Sequence, residues 1–153
     1  MKRSARAVVP ANAGSRSHAG LTRSSLAATA LWLLAACAQA APDAAALKRG
    51  EEIYTRCAAC HAIEANRTGP QHCGLFGRKA GTAPGFDGYS KAMRASGIVW
   101  DEHTLGVFLK DPLKAVPGTA MGYAGVKDDK ERAELIAWLR EATRPGKTCT
   151  LAH

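Results

Sequence analysis

Apolar residues recur at helical spacing in four stretches of this chain, and glycine and proline break up the segments between them. In AAALKRGEEIYTRC, Leu47, Gly50, Ile53 and Tyr54 fall on one face, with Asp43 before them as an N-cap. SKAMRAS (residues 90–96) predicts a short helix ended by Gly97. Asp101 caps a third stretch carrying Leu105, Phe108 and Leu109, which Pro112 closes. The last helix is expected from about 129 to 143, capped by Asp128 or Asp129. Ala133, Leu135, Ile136, Trp138, Leu139 and Ala142 form its broad apolar face, and Pro145-Gly146 end it. No stretch alternates as a strand does. The expected class is all-α.

The intervening segments are unusually long. Residues 62 to 89 contain Gly69-Pro70, Gly74, Gly77, Gly81, Pro84-Gly85 and Gly88, and AVPGTAMGYAGV interrupts the chain again near residue 120. A loop of this length in a small domain needs something to wrap around. So few helical residues make a poor core by themselves, and a large apolar cofactor would account for both features.

A different apolar run, SSLAATALWLLAACAQA, lies near the N-terminus. Basic residues precede it without acids, and it ends in Ala38-Gln39-Ala40. That order describes a secretory signal peptide over residues 1–40, leaving a domain at 41–153. Leu34-Ala35-Ala36-Cys37 also fits a lipobox, in which Cys37 is acylated, and an uncleaved anchor is a third reading. All three put the domain outside the cytoplasmic membrane, in the periplasm, where thiols can oxidise. The location of the charge matters here. Of 21 basic residues, five lie before the apolar run, so 16 remain against all 13 acids and the formal +8 falls to about +3. No dense basic stripe survives, which removes the main support for nucleic-acid binding.

Chemistry concentrates in CAACHAIEANRTGPQHC, residues 57–73. Cys57-Ala58-Ala59-Cys60-His61 is the C-x-x-C-H pattern of c-type haem attachment. The two thiols reach two vinyl groups on one porphyrin edge, and the adjacent imidazole swings beneath the ring to the iron. A thioredoxin-like C-x-x-C needs a βαβ setting that is absent here, and a zinc site using His72 or Cys73 leaves the long loops unexplained. A methionine often fills the iron's other axial position. Past the apolar run only Met93 and Met121 are available; Met93 reads as core, and Met121 sits in a Gly/Pro loop able to cross an open haem face.

From about Leu47 to Thr143 the chain resembles the class I cytochromes c, in particular short bacterial relatives of mitochondrial cytochrome c. The likeness rests on Gly50 and Tyr54 before CAACH, then TGP, GLFGRKAG, APGF, GIVW, PGTAMGYAG and ERAELIAWLREAT. It implies a small cytochrome c fold, with a few helices and long loops around one covalently bound haem c. Cys57 and Cys60 would carry the haem, with His61 proximal and Met121 distal. The Pro70 carbonyl would accept the His61 ring N–H. Arg78, Tyr89 and Trp100 would hold buried propionates, with Thr119 near the other one, and Tyr123 would cover the haem edge. Gly50 and Trp138 would mark the crossing of the first and last helices.

The implied function is one-electron transport by a monomer that is not an enzyme. Quinol:cytochrome c reductase is the implied donor, and cytochrome c oxidase, a photosynthetic reaction centre or a peroxidase the acceptor. Phe108 stands where many relatives have a tyrosine directed at the methionine sulfur. An alternative therefore has a displaceable Met121 and peroxidase-like or gas-binding behaviour. Leu113 and Ala120 replace lysines of the haem rim, leaving Arg56, Arg67, Lys114 and Lys127 as a thinner basic rim. His72 and Cys73 are expected to lie outside the iron site, beyond Pro70. Cys73 and Cys149 are the thiols left over once thioethers have formed, and they are the expected disulfide pair; the alternative is two separate thiols.

Overall fold

The computed structural model describes residues 43–146 and Cys149; the expected signal segment, Cys37 included, and His153 lie outside these residues. Among the described residues there are five helices: α1 (Ala44–Tyr54), α2 (Lys91–Ala95), α3 (Glu102–Lys110), α4 (Pro112–Ala115) and α5 (Asp129–Ala142). Short polar side chains start each of them. Asp43 accepts from the Ala45 amide, Ser90 from Met93, Asp101 from Thr104, Asp111 from Lys114 and Asp128 from Glu131. At α3 the cap is reciprocal, with the Thr104 hydroxyl accepting from the Asp101 amide.

α4 is a difference from the sequence reading, which ended the chain's third helix at Pro112 and continued as loop. Proline lacks only a donor that the first helical position leaves unused, so Pro112 opens a new turn under the Asp111 cap. The rest of the described residues are loop. Two isolated backbone bridges, Lys79–Val99 and Pro145–Cys149, are their nearest approach to sheet structure.

α1 and α5 pack closely against each other, and Gly50 permits it. A Cβ on Gly50 would lie 2.6 Å from Trp138 Cβ and collide with the Glu134 carbonyl. The crossing also revises the expected face of α5. Ala133 is exposed, whereas Glu134 is buried and ion-paired with Arg49 at 2.8 Å. A carboxylate is tolerated there because α1 supplies the partner charge. Leu135, Ile136 and Leu139 are buried as expected, and Trp138 packs on Tyr54 with ring centroids 4.6 Å apart.

Gly50→Ala pushes a methyl group into backbone that cannot move aside cheaply. It is expected to lower unfolding free energy by about 1–3 kcal/mol in urea titration. The cofactor spectrum should be unchanged, because the crossing lies away from the site's ligating groups.

Candidate functional site

The core of the molecule is lined on the inside by a largely apolar cavity of about 280 Å³. Leu75, Met93, Trp100, Leu105, Phe108, Leu109, Leu135 and Leu139 are at once core residues and cavity wall. Into this hollow the fold brings every residue singled out for haem. Cys57, Cys60, His61, Pro70, Arg78, Tyr89, Trp100, Thr119, Met121 and Tyr123 all border it.

The attachment segment continues straight from α1. The amides of Cys60 and His61 both donate to the Cys57 carbonyl, at 3.0 and 2.9 Å, which coils C-x-x-C-H into a tight turn. The Gly69 amide closes the loop onto the Cys60 carbonyl at 2.7 Å, and Arg67 Nη1 donates to the Ala58 carbonyl at 2.9 Å. His61 Nδ1 lies 2.8 Å from the Pro70 carbonyl oxygen. A carbonyl can only accept, so Nδ1 carries the proton and Nε2 is left with its lone pair. Burial lowers the His61 pKa, while the Pro70 bond opposes that shift. Gly69 is packed so closely on this ring that a Cβ there would lie 2.7 Å from His61 Nδ1 and 2.8 Å from Nε2.

Arg78 supplies the test of fit for a haem. Its Nη1 and Nη2 donate to the carbonyls of Cys73 and Gln71, at 2.7 and 2.9 Å, but its buried Nε has no hydrogen-bond partner. Burial lowers its pKa, as expected for a cation lacking a counter-charge. An orphaned guanidinium N–H beside an apolar hollow fits one carboxylate of a propionate. Backbone bonds hold Trp100 next to it: the Trp100 amide donates to the Arg78 carbonyl at 3.0 Å, and the Gly77 amide to the Trp100 carbonyl at 2.8 Å. The Tyr89 hydroxyl accepts from the Ala83 amide at 3.2 Å, and the Thr119 hydroxyl from the Met121 amide at 3.2 Å. Both keep an O–H free to donate. The residues present fit haem.

Three expectations need correction. His72 is not outside the site: it lines the cavity and stacks on His61, with centroids 4.5 Å apart and planes 23° apart. The signal for this was the spacing of His72 just two residues beyond Pro70. Cys73 and Cys149 are both buried and in hydrogen-bond contact, yet both are free thiols and no disulfide joins them. Burial and the neighbouring Cys73 push the Cys149 thiol up to about 12. The basic rim is thinner still than expected. Arg56 is paired with Glu131 at 2.7 Å and Lys127 with Asp111 at 3.0 Å. His103 is exposed.

Comparison with known proteins agrees with this geometry. The family model for cytochrome c matches residues 47–143. Cytochrome c of Sesamum indicum is 46% identical over 101 residues, covering 63% of this chain and 90% of that protein. Cytochrome c2 of Blastochloris viridis is 42% identical over 110 residues, 70% of this chain and 84% of its own. The solved structure of cytochrome cH from Methylobacterium extorquens superposes with a TM-score of 0.60 at 41% identity, over 62% of this chain and 97% of that one.

Two outcomes follow from the titratable groups. Burial pushes the Tyr54 hydroxyl up to about 12 from its ordinary 10.0. The folded state then holds that proton more tightly than the unfolded chain. The resulting stabilisation is complete below pH 10 and is lost as pH rises through 12. Urea midpoints measured across this range should fall more steeply for the wild type than for Tyr54→Phe. Separately, denatured and unreduced holoprotein should titrate two thiols per chain from Cys73 and Cys149; a count of zero would show that the bridge forms after all.

Proposed function

The chain belongs to the cytochrome c family, with one haem c attached through Cys57 and Cys60, and we propose that it carries single electrons between membrane complexes with His61 and Met121 as the iron's axial ligands. The observation that carries this reading is the position of Met121. Although distant in sequence, it borders the same cavity as Cys57, Cys60 and His61. With His61 and Met121 holding the iron, substrate and dioxygen would have no free coordination site, which supports a carrier over an enzyme.

Haem supplies the Fe(III)/Fe(II) couple. The chain's own part is to orient, to shield and to leave one edge accessible. Pro70 fixes the proton of His61 on Nδ1 and leaves Nε2 for the metal. Thr119 positions the Met121 backbone. Arg78 compensates buried carboxylate charge, with Tyr89 and Trp100 beside it. The apolar wall keeps water from the metal, which limits reorganisation between the two oxidation states.

In this reading residues 1–40 are an export signal, and residues 41–153 work in the periplasm, or at the membrane surface where Cys37 is acylated. Quinol:cytochrome c reductase is the donor, and cytochrome c oxidase, a photosynthetic reaction centre or a peroxidase the acceptor. Such encounters bury little surface and release quickly, in keeping with basic side chains, Arg56 and Lys127, that already have acidic partners.

The optical spectrum tests the ligand set. Oxidised holoprotein should show the weak red band of methionine-to-Fe(III) ligation at neutral pH, and the reduced form should not bind carbon monoxide. Met121→Ala should lose the band and acquire carbon monoxide binding. A wild type without the band would instead favour the displaceable-ligand alternative.

A further inference from the structure

The proposed function makes no use of His72. Its position is nevertheless well determined. The His72 amide donates to the carbonyls of Ala62 and Ile63 at 3.0 and 3.1 Å, so its backbone is pinned beside the attachment loop. Its ring lies face to face with His61, 4.5 Å away between centroids. On its other polar side, Nδ1 is hydrogen-bonded to the Tyr54 hydroxyl at 3.2 Å. Tyr54 is itself held by α1 and by the Trp138 ring from α5.

A ligating imidazole held by one hydrogen bond opposite its metal is not fully fixed. With Nδ1 bonded to the Pro70 carbonyl and Nε2 holding iron, the ring would keep freedom to rock about the line through its two nitrogens. A flat group stacked on the ring removes this freedom. His72 is such a group, and Tyr54 in turn holds it in place. Both are polar, whereas the rest of this wall is mostly hydrocarbon. A wall that can solvate charge favours the oxidised centre, which carries one more positive charge than the reduced one.

We propose that His72, anchored by Tyr54, is a positioning residue for the axial histidine, which sets the plane of the His61 ring and lowers the reduction potential relative to an apolar side chain at the same place. The proposal rests on His61 being an iron ligand, as above.

The test uses oxidised and reduced holoprotein with His72→Leu, His72→Phe, Tyr54→Phe and the double variant Tyr54→Phe/His72→Leu. The proton NMR shifts of the haem methyl groups report the axial ring plane, and redox titration reports the potential. His72→Leu should redistribute the methyl shifts and raise the potential. His72→Phe keeps a flat stacking face without the hydrogen bond, so it should raise the potential while largely preserving the shift pattern. Tyr54→Phe should raise the potential less, and the double variant should match His72→Leu, since Tyr54 acts through His72. Unchanged shifts and potential in His72→Leu would overturn the proposal, as would a double variant equal to the sum of the singles. If His72→Leu does not retain haem, the proposal fails when His72→Phe and Tyr54→Phe both keep the wild-type potential. The methionine band separates the two levels: its absence from the wild type counts against the ligand set, whereas its presence throughout confines any failure to His72.

Discussion

The governing constraint is that this chain has too little regular structure to close a core on itself. Among the described residues the longest helix, α5, has 14 residues, and α2 and α4 are barely more than single turns. Leu105, Phe108, Leu109, Leu135 and Leu139 therefore do two jobs, packing on each other and facing a hollow. Apolar surface turned toward an internal space is stabilising only when that space holds apolar matter. Folding and cofactor capture are one process here, and thioether bonds to Cys57 and Cys60 make the capture permanent. The α1–α5 crossing is the part least dependent on the cofactor, because Gly50 lets backbone meet backbone directly. It also sets the direction in which α1 delivers the attachment loop.

Features encoded locally were legible in the sequence. Asp43, Asp101 and Asp128 cap the helices they were expected to start, and C-x-x-C-H carries its chemistry in five adjacent residues. Features that depend on a partner from elsewhere were less so. Helical periodicity put Ala133 in the core and had no place for Glu134, since Arg49 on another helix is what makes that carboxylate tolerable. Arg56 and Lys127 looked free because Glu131 and Asp111 approach only in the fold. Cys73 and Cys149 do meet, so their proximity was readable by elimination; their bonding state was not.

Charge at this site is managed from the loops and not from the helices. Arg78 spends two of its nitrogens on the carbonyls of Gln71 and Cys73 and keeps Nε for the cavity. A guanidinium suits this, because its rigid fork can satisfy two carbonyls and still direct a third donor elsewhere. The same arginine thus orders the segment after Pro70 and prepares the place for a buried carboxylate. A lysine there would have one nitrogen for all three tasks.

That segment is where loop order and ligand geometry meet. Pro70 accepts from His61, His72 stacks on His61, and Cys73 gives its carbonyl to Arg78. Four consecutive residues thus engage both His61 and Arg78, two side chains that line one cavity. A half-buried imidazole without a partner would be costly in such a place. The Tyr54 hydroxyl removes that cost, and α1, which carries it, is the helix whose end presents Cys57. The polar pair is therefore anchored on the first helix, where Tyr54 also packs on the Trp138 ring of the last one.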